Sequence, residues 1–242
     1  MKKLVFIFSM AVIALMSSCN NDDDYKDIYY SIGTLSVDST GNIEYIYSDK
    51  ANTINALNTP KTSLENGARA YVQFTDLENV SRADGNIYNA NFIFVDDILT
   101  KNIIEINEMN ADSIGHDNID IRDVWFSEGY INFEFTFMGY AGTHMINLVG
   151  NSEVFSPNVE IAPDVVNLEL KQNAFGDSEA TLMNGLVSFK LNSLPFNVAK
   201  GQKFEVSYES IDGIVKSVSV SYDYGDTADV AKASGDFSRK IK

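Results

Sequence analysis

Apolar and polar residues alternate along two stretches of the chain, as they do in strands that bury one face. The first stretch covers residues 68–74, and the second, clearer one covers residues 131–137. In the second stretch Phe133 and Phe135 point to one side and Glu134 points to the other. We therefore expect both stretches to be half-buried β-strands.

The N-terminal half contains several short segments of this strand-like kind. The predicted strands are residues 28–37, 42–47, 68–74, 88–95 and 102–106. The polar segment 49–64, which contains Pro60, is predicted to be a loop. Short strands in such number predict a small closed barrel, because closure removes the exposed strand edges that promote aggregation.

The C-terminal half shows a sharper alternation. The predicted strands are residues 131–137, 143–149, 165–171, 185–192, 203–209 and 214–224. The first two are predicted to pair as a hairpin across the glycine-containing turn at residues 139–142. Antiparallel strands in this number predict a β-sandwich. No helix and no internal repeat is predicted.

The polar and acidic segment 107–123 is the predicted boundary between these two units, because few of its residues could join two apolar cores. The predicted fold class is all-β, a five-stranded barrel followed by an antiparallel β-sandwich. The predicted divisions are a signal segment at residues 1–18, a tether at 19–27, the barrel at 28–110, the sandwich at 111–228 and a flexible tail at 229–242.

The N-terminal segment has the features of a secretory signal. Two lysines precede an apolar run at residues 4–15, which is about a dozen residues long. Spanning a bilayer would need roughly 20 apolar residues. Cys19, the only cysteine of the chain, follows two serines. This arrangement resembles the lipobox of bacterial lipoproteins, in which the cysteine is acylated; the alternative is an ordinary secretory signal with an incidental cysteine.

Three consecutive acidic residues follow the predicted lipidation site. Asp22, Asp23 and Asp24 resemble the surface-export signal found in lipoproteins of a group of Gram-negative gut and oral bacteria. We therefore expect a lipid-anchored protein of the outer membrane that is exposed at the cell surface. A periplasm-facing protein, in which the three aspartates are a solvated linker, is the alternative.

The charge of the chain excludes some partners. The formal net charge is −16, and cleavage after Ser18 would remove two lysines and no acid, which leaves −18. Nucleic acid and anionic lipid repel such a chain. Outside the last few residues, lysine and arginine form no cluster. We therefore expect no nucleic-acid partner and a membrane contact made through the lipid alone.

The candidate catalytic residues are few. His144 would share a strand face with Ile146 and Leu148, which predicts a core-facing histidine satisfied by hydrogen bonds. His116 lies in the acidic segment 107–123, whose oxygen ligands could hold Ca²⁺. The spacing lacks the EF-hand pattern, so a solvated loop is the favoured interpretation.

Motifs of the common enzyme classes are missing from the sequence. It has no Gly-x-Ser-x-Gly elbow, no glycine-rich phosphate loop, no CxxC and no HExxH. We therefore predict no catalytic residue, no cofactor and no metal site. Trp125 is predicted to lie in the sandwich core rather than to form a platform for sugars.

Six segments, in order, resemble those of the NigD-like lipoproteins. They are residues 97–101, 113–117, 128–135, 144–149, 168–177 and 187–189. The resemblance implies an N-terminal OB-type barrel and a C-terminal β-sandwich. The family often has Arg-His-Asn where this chain has Lys171, Gln172 and Asn173. The family was named for a proposed link to bacteriocin immunity.

Three functional hypotheses follow. The first is a non-enzymatic, surface-anchored binding protein, with immunity against a secreted toxin as one version. The second is an accessory lipoprotein that captures glycans or nutrients on the barrel face. The third is a hydrolase. The expected partner is an unknown protein or glycan.

Overall fold

The computed structural model describes residues 26–81, 86–156 and 162–224. The predicted signal segment, Cys19, the three aspartates after it and the predicted tail at 229–242 lie outside the described residues. Within the described part the fold is all-β apart from two short helical turns, as predicted.

Five strands close a barrel, which confirms the fold predicted for the N-terminal half. They are β1 (Tyr29–Val37), β2 (Ile43–Ser48), β3 (Thr53–Ala56), β4 (Arg69–Asn79) and β5 (Ile87–Asp97). Their order is β1-β2-β3-β5-β4, and β4 pairs with β1 to close the ring. Only the pairing of β3 with β5 is parallel. The barrel has one core, formed by residues Leu35, Val37, Ile43, Ile46, Ile54, Ala56, Ala70, Val72, Phe74, Tyr88, Ala90 and Phe92.

The identity of one barrel strand corrects the sequence prediction. Residues 102–106 are not in the barrel, and the strand that takes their place is β3, inside the segment 49–64 that was expected to be a loop. Ile54 and Ala56 are buried, while Thr53 and Asn55 are half-buried. A strand of four residues with only two apolar side chains gives a weak alternation.

Two sheets form the sandwich that was predicted for the C-terminal half. Its strands are β6 (Leu99–Asn102), β7 (Ile104–Glu105), β8 (Ile119–Ser127), β9 (Tyr130–Gly139), β10 (Met145–Gly150), β11 (Val165–Asn173), β12 (Thr181–Lys190), β13 (Lys203–Glu209) and β14 (Val215–Ser221). One sheet has the order β14-β13-β11-β10-β7 and the other has the order β6-β12-β9-β8. A short helix, α1 (Ala111–Ile114), precedes β8, and a 3-10 turn covers Leu191–Ser193. The pairs β6–β12, β7–β10 and β11–β13 are parallel.

The predicted boundary at residue 111 also needs correction. Strand β6 pairs with β12, and β7 pairs with β10, so both belong to the sandwich. Ile98 alone separates the last barrel strand from the first sandwich strand, and its N–H donates to the carbonyl of Arg69. The transition has no linker, so composition gives no signal there. The polar segment 107–123 instead contains α1 and the start of β8.

The predicted hairpin of residues 131–137 and 143–149 is wrong, although the alternation correctly gives the face that packs in the sandwich core. On the opposite face only Glu134 is exposed, because Asn132 and Thr136 are also buried. Strand β9 pairs with β8 and β12, whereas β10 pairs with β11 and β7 in the other sheet. The connection between β9 and β10 therefore crosses the sandwich. Phe133 and Phe135 are buried and Glu134 is exposed, as the alternation predicts. A short glycine-containing connection can join strands within one sheet or across two, so sequence alone did not separate these cases.

Candidate functional site

Lys26, where the described part of the chain begins, connects the end of the predicted tether to the barrel. Lys26 Nζ lies 2.8 Å from Asp76 Oδ2, in an exposed ion pair. Asp76 also accepts hydrogen bonds from Asn91 and Thr75. The contact with Lys26 is the main cause that lowers the pKa of Asp76 to about 2. The lipidation site predicted at Cys19 and the acidic run at Asp22, Asp23 and Asp24 precede this contact and lie outside the described residues.

His144 is a buried, hydrogen-bonded residue, as predicted, and its contacts are structural. Its side chain is 5% exposed, and Nε2 lies 3.1 Å from Asp177 Oδ2. The amide nitrogen of Gln172 lies 2.9 Å from the other ring nitrogen, Nδ1. The backbone N–H of Tyr140, followed by His144, holds the pKa of Asp177 well below its usual range. These bonds tie the connection between β9 and β10 to the loop after β11.

The acidic residues around the exposed His116 accept hydrogen bonds from different parts of the chain and do not form one site. Asp117 accepts a hydrogen bond from the Ala174 N–H at 2.6 Å, and Asp120 accepts one from the Ser210 hydroxyl. Asp123 accepts from the N–H of the next residue. Within residues 26–81, 86–156 and 162–224, no three His, Cys, Asp or Glu side chains come together to hold a metal ion.

A buried polar cluster joins the barrel to the sandwich, and we call it the junction cluster. Arg69 of β4 binds both carboxylate oxygens of Asp49 at 2.6 Å. Their side chains are only 1% and 7% exposed. Arg69 also donates to Asn132 Oδ1 at 2.9 Å and to Ser188 Oγ at 3.3 Å, which are sandwich residues. Trp125 completes the cluster by donating its indole N–H to Asp49 at 2.8 Å.

The position of Trp125 corrects the prediction that it lies in the sandwich core. Its ring is half-buried at the junction, and its neighbour Phe126 is the residue that packs on the core. An Arg–carboxylate pair with two parallel bonds and further donors in place is geometrically specific. The junction cluster therefore sets the orientation of the barrel relative to the sandwich.

A β-bulge shapes the outer face of the barrel. Gln73 of β4 is opposite Phe94 and Phe74 is opposite Phe92, so Ile93 has no partner on β4. The bulge reverses the alternation of β5 from this point. Phe92 is 3% exposed in the core, whereas Ile93 and Phe94 are 51% and 39% exposed. An unbulged strand would place Phe94 on the same side as Phe92, inside the barrel.

Phe94 joins two tyrosines in a row across three neighbouring strands, which we call the aromatic strip. Tyr30 of β1 and Tyr71 of β4 stack with ring centroids 5.5 Å apart. Phe94 of β5 meets Tyr71 edge-on at 6.4 Å. The amide of Gln73 donates to the Tyr71 hydroxyl at 3.1 Å. Phe94 is 39% exposed, whereas Tyr30 and Tyr71 are half-buried, so the strip is a partly exposed row of rings on the outer face of the barrel.

One carboxylate borders the aromatic strip. Asp96 is directly opposite Tyr71 in the pairing of β4 with β5, whereas Asp97 is opposite the buried Ala70 and so lies on the other face of the sheet. Burial, and then the negative charge of Asp96, raise the pKa of Asp97. Burial also raises the pKa of the Tyr71 hydroxyl, which stays protonated and able to donate. Among the ion pairs of the described residues, none involves Asp96 or Asp97.

Neither the junction cluster nor the aromatic strip was predicted. Arg69 and Tyr71 stood out only as the polar side of an alternating strand, and the bulge has no signature in a run of four apolar residues at 92–95. The one usable signal for the cluster was an arginine at the start of a strand that is otherwise rich in apolar residues.

Comparison with known proteins gives one family match. The NigD-like C-terminal beta sandwich domain matches residues 102–222, which is half of the chain. Among proteins of curated function, none matches this sequence. In the part of the chain that the structure describes, no helix has the length and apolar character needed to cross a bilayer.

Several solved structures share the fold. A candidate toxin-related protein from Parabacteroides distasonis is 26% identical, with a TM-score of 0.64, over 85% of this chain and 99% of its own. A protein of unknown function from Bacteroides vulgatus is 22% identical, with a TM-score of 0.62, over 84% of this chain and 98% of its own. A NigD-like immunity protein from Bacteroides caccae is 18% identical, with a TM-score of 0.56, over 79% and 91%.

Proposed function

The chain belongs to the NigD-like family, and on that basis we propose that it is a non-catalytic binding protein, anchored by lipid in the outer membrane and displayed at the cell surface. Its proposed role is immunity against a secreted protein. The structural relative from Bacteroides caccae supports this role, since it is a NigD-like immunity protein.

The observation that carries the binding role is the aromatic strip. Exposed apolar patches on soluble domains often mark interaction sites, and β-bulges are frequent where a side chain must be re-aimed. The bulge at Ile93 directs Phe94 outward, beside Tyr71. This partly exposed ring on the outer face supports a binding role for the strip.

The positions of the histidines support a non-catalytic protein. His144 is held on both ring nitrogens, by Asp177 and by Gln172, and it packs against Phe137 with ring centroids 4.5 Å apart. A general base needs one ring nitrogen directed at a substrate or nucleophile. The contacts of His144 instead favour a structural role.

A competition experiment tests the proposed role. A strain that lacks the protein should lose growth in co-culture with related strains that secrete antagonistic proteins, and the parent chain should restore it. Cys19→Ala should fail to restore growth, because without the thiol no acyl chain can hold the protein, and it should leave the membrane fraction. Full protection in the deletion strain would contradict the immunity role, and retention of Cys19→Ala after a high-salt wash would contradict the anchor.

A matched variant tests surface display. Replacement of Asp22, Asp23 and Asp24 by alanine should keep the protein in the membrane fraction but protect it from protease added to intact cells. Equal digestion of this variant and the parent would show that the acidic run is only a linker. Protection in co-culture should fall together with surface exposure.

Glycan capture is the second candidate, and the aromatic strip is the feature that favours it. The ring faces of Tyr30 and Tyr71 could stack on sugar rings, while Gln73 could hydrogen-bond to hydroxyl groups. The two hypotheses differ in what they require of Asp96. Sugar stacking would need the rings without this carboxylate, whereas a positively charged protein would need both.

A further inference from the structure

We propose that a cleft at one end of the sandwich binds a primary ammonium group from outside the chain. We call it the end cleft. It lies where the residues before β8 meet the loop between β11 and β12, and its lining includes Asp117, Met138, Gln172, Asp177, Glu179 and Ile211. The inference does not depend on the proposed immunity role, and neither the sequence pattern nor the family match assigns this site.

The end cleft is negatively charged. Asp117, Asp177 and Glu179 carry carboxylates, and among the described residues that line the cleft none is basic. Asp177 is ionised, because the backbone N–H of Tyr140, followed by His144, holds its pKa well below its usual range. Asp117 and Glu179 are exposed, and neither takes part in an ion pair of the described residues. The lining therefore has negative charge that no side chain within it offsets.

A buried oxygen atom without a partner adds to this charge. Gln172 is 1% exposed, and its Oε1 has no hydrogen-bond partner among the described residues. Because Asp177 is ionised, Nε2 of His144 carries the proton in their hydrogen bond. In the neutral ring Nδ1 is then an acceptor, and the amide nitrogen of Gln172 donates to it at 2.9 Å. This orientation leaves the amide oxygen, and its partial negative charge, for the cleft that Gln172 lines.

The size and the walls of the end cleft fit an ammonium group on an aliphatic stem. Its volume is about 60 Å³, whereas one water molecule needs about 10–15 Å³. Met138 and Ile211 provide apolar walls, and a lysine side chain packs its methylene groups on surfaces of this kind. An ammonium group is a compact charge with three donors, so it can meet acceptors on several sides of a small space. A guanidinium group is planar and larger.

A metal ion and a second copy of this chain fit the end cleft less well. Within the part of the chain that the structure describes, no three His, Cys, Asp or Glu side chains come together to hold a metal ion. A second copy, with a net charge of −16, would be repelled. The C-terminal segment of this chain, which contains Lys240 and Lys242, is a competing occupant that the experiment separates. The ligand that the lining favours is an amine, on a lysine of another protein or as a free small molecule.

An NMR titration of the chain without its predicted signal segment tests the inference. The probe is a blocked pentapeptide with one lysine between glycines, and its controls have acetyl-lysine or arginine in place of the lysine. Shifts of the backbone amide signals of residues 172–179 report binding at the cleft. The salt concentration is about 0.15 M, where charges more than about 8 Å apart are largely screened.

Two test variants remove the charge or the buried oxygen. Asp117→Asn with Glu179→Gln removes two charges, and the asparagine oxygen can still accept the backbone N–H that Asp117 accepts at 2.6 Å. Gln172→Met keeps the length of the side chain without the amide oxygen, and a thermal melt checks that this variant is folded. The control, Glu108→Gln with Glu153→Gln, removes two charges at exposed positions outside the cleft lining.

We expect both test variants to weaken binding of the lysine peptide about tenfold or more, and the control variant to leave it unchanged. The acetyl-lysine peptide should also bind about tenfold more weakly, because it lacks the charge. The arginine peptide should bind more weakly than the lysine peptide, because its head group is larger. Butylamine separates the two sources of the amine: affinity equal to that of the peptide supports a free amine, and tighter binding by the peptide supports a lysine of another protein.

Several results would overturn the inference. Equal losses in the test and control variants, or equal affinity for the lysine and arginine peptides, would show diffuse attraction to an acidic chain. Equal affinity for the acetyl-lysine peptide would show that the cleft does not recognise positive charge. Tighter binding by a chain that ends at Tyr224 would show that the chain's own C-terminal lysines occupy the cleft. If Gln172→Met is unfolded, the variant at Asp117 and Glu179 decides alone, and unchanged binding by it contradicts the site.

Discussion

The barrel and the sandwich use their aromatic residues in opposite ways. The sandwich buries Phe133, Phe135, Phe189 and Phe204 between its two sheets. The barrel keeps two phenylalanines in its core but places a row of three rings, Tyr30, Tyr71 and Phe94, on its outer face. The same residue types therefore stabilise one unit and form a candidate recognition surface on the other.

The difference indicates that the two units have different roles, with the sandwich as the support and the barrel as the carrier of the candidate recognition surface. The junction cluster of Arg69, Asp49, Asn132 and Ser188 fixes the barrel on the sandwich through buried, directional bonds. Arg69 lies two residues before Tyr71 on the same strand, so the strip starts next to the junction. The sandwich then acts as a rigid support for a surface that the barrel carries.

The largest predicted effect is on the sandwich core. Phe135 is 3% exposed, and its truncation in Phe135→Ala should cost about 3–5 kcal/mol of the free energy of unfolding. The neighbouring Glu134→Ala, on the exposed face, should change it by less than about 0.5 kcal/mol. Urea denaturation of the two variants measures both. Similar losses in the two would mean that the alternation of β9 does not describe its packing.

The junction cluster should be the next most sensitive region. Asp49→Ala leaves the guanidinium of Arg69 buried without its carboxylate, and loss of one partner from a buried pair costs about 3–5 kcal/mol. The matched control is Lys26→Ala, which removes the exposed pair with Asp76 from its other side and should cost at most about 1 kcal/mol. Thermal melts that rank these variants the other way would show that the junction is not a tight contact.

A smaller effect is expected from overpacking the sandwich. A Cβ atom added at Gly185 would lie 2.4 Å from Cζ of Phe135, so Gly185→Ala should lose about 1–3 kcal/mol. The smaller side chain of Phe135→Leu should make Gly185→Ala better tolerated. If the double variant is as unstable as the sum of the two single variants, measured by urea denaturation, the two residues do not pack as described.

The sequence predicted burial correctly where the alternation of apolar and polar residues was long. It did not predict which strands pair with each other. The alternation at residues 131–137 correctly gave the buried face of β9. It could not show that β9 and β10 lie in different sheets, because pairing depends on long-range contacts. The short strand β3 was missed since four residues carry too little pattern.

The candidate site was less predictable than the fold for a similar reason. Phe94 faces outward only because Ile93 is an extra residue in β5, and this depends on the register with β4. The partners of Arg69 are Asp49, Asn132 and Ser188, which are far from it in the sequence. A local sequence pattern does not relate residues so far apart. His144 is buried and hydrogen-bonded as predicted, but it lies just before β10, and its partners Asp177 and Gln172 have no local signal in the sequence.

The free energy of unfolding of Phe94→Ser tests the central comparison most directly. If the aromatic strip serves recognition, this variant should lose no more than about 1.5 kcal/mol relative to the parent in urea denaturation, which is the size of one edge-on ring contact. A loss of about 3 kcal/mol or more, as expected for a buried ring, would contradict the account. Phe94 would then be part of the barrel's packing, and the difference between the two units would disappear.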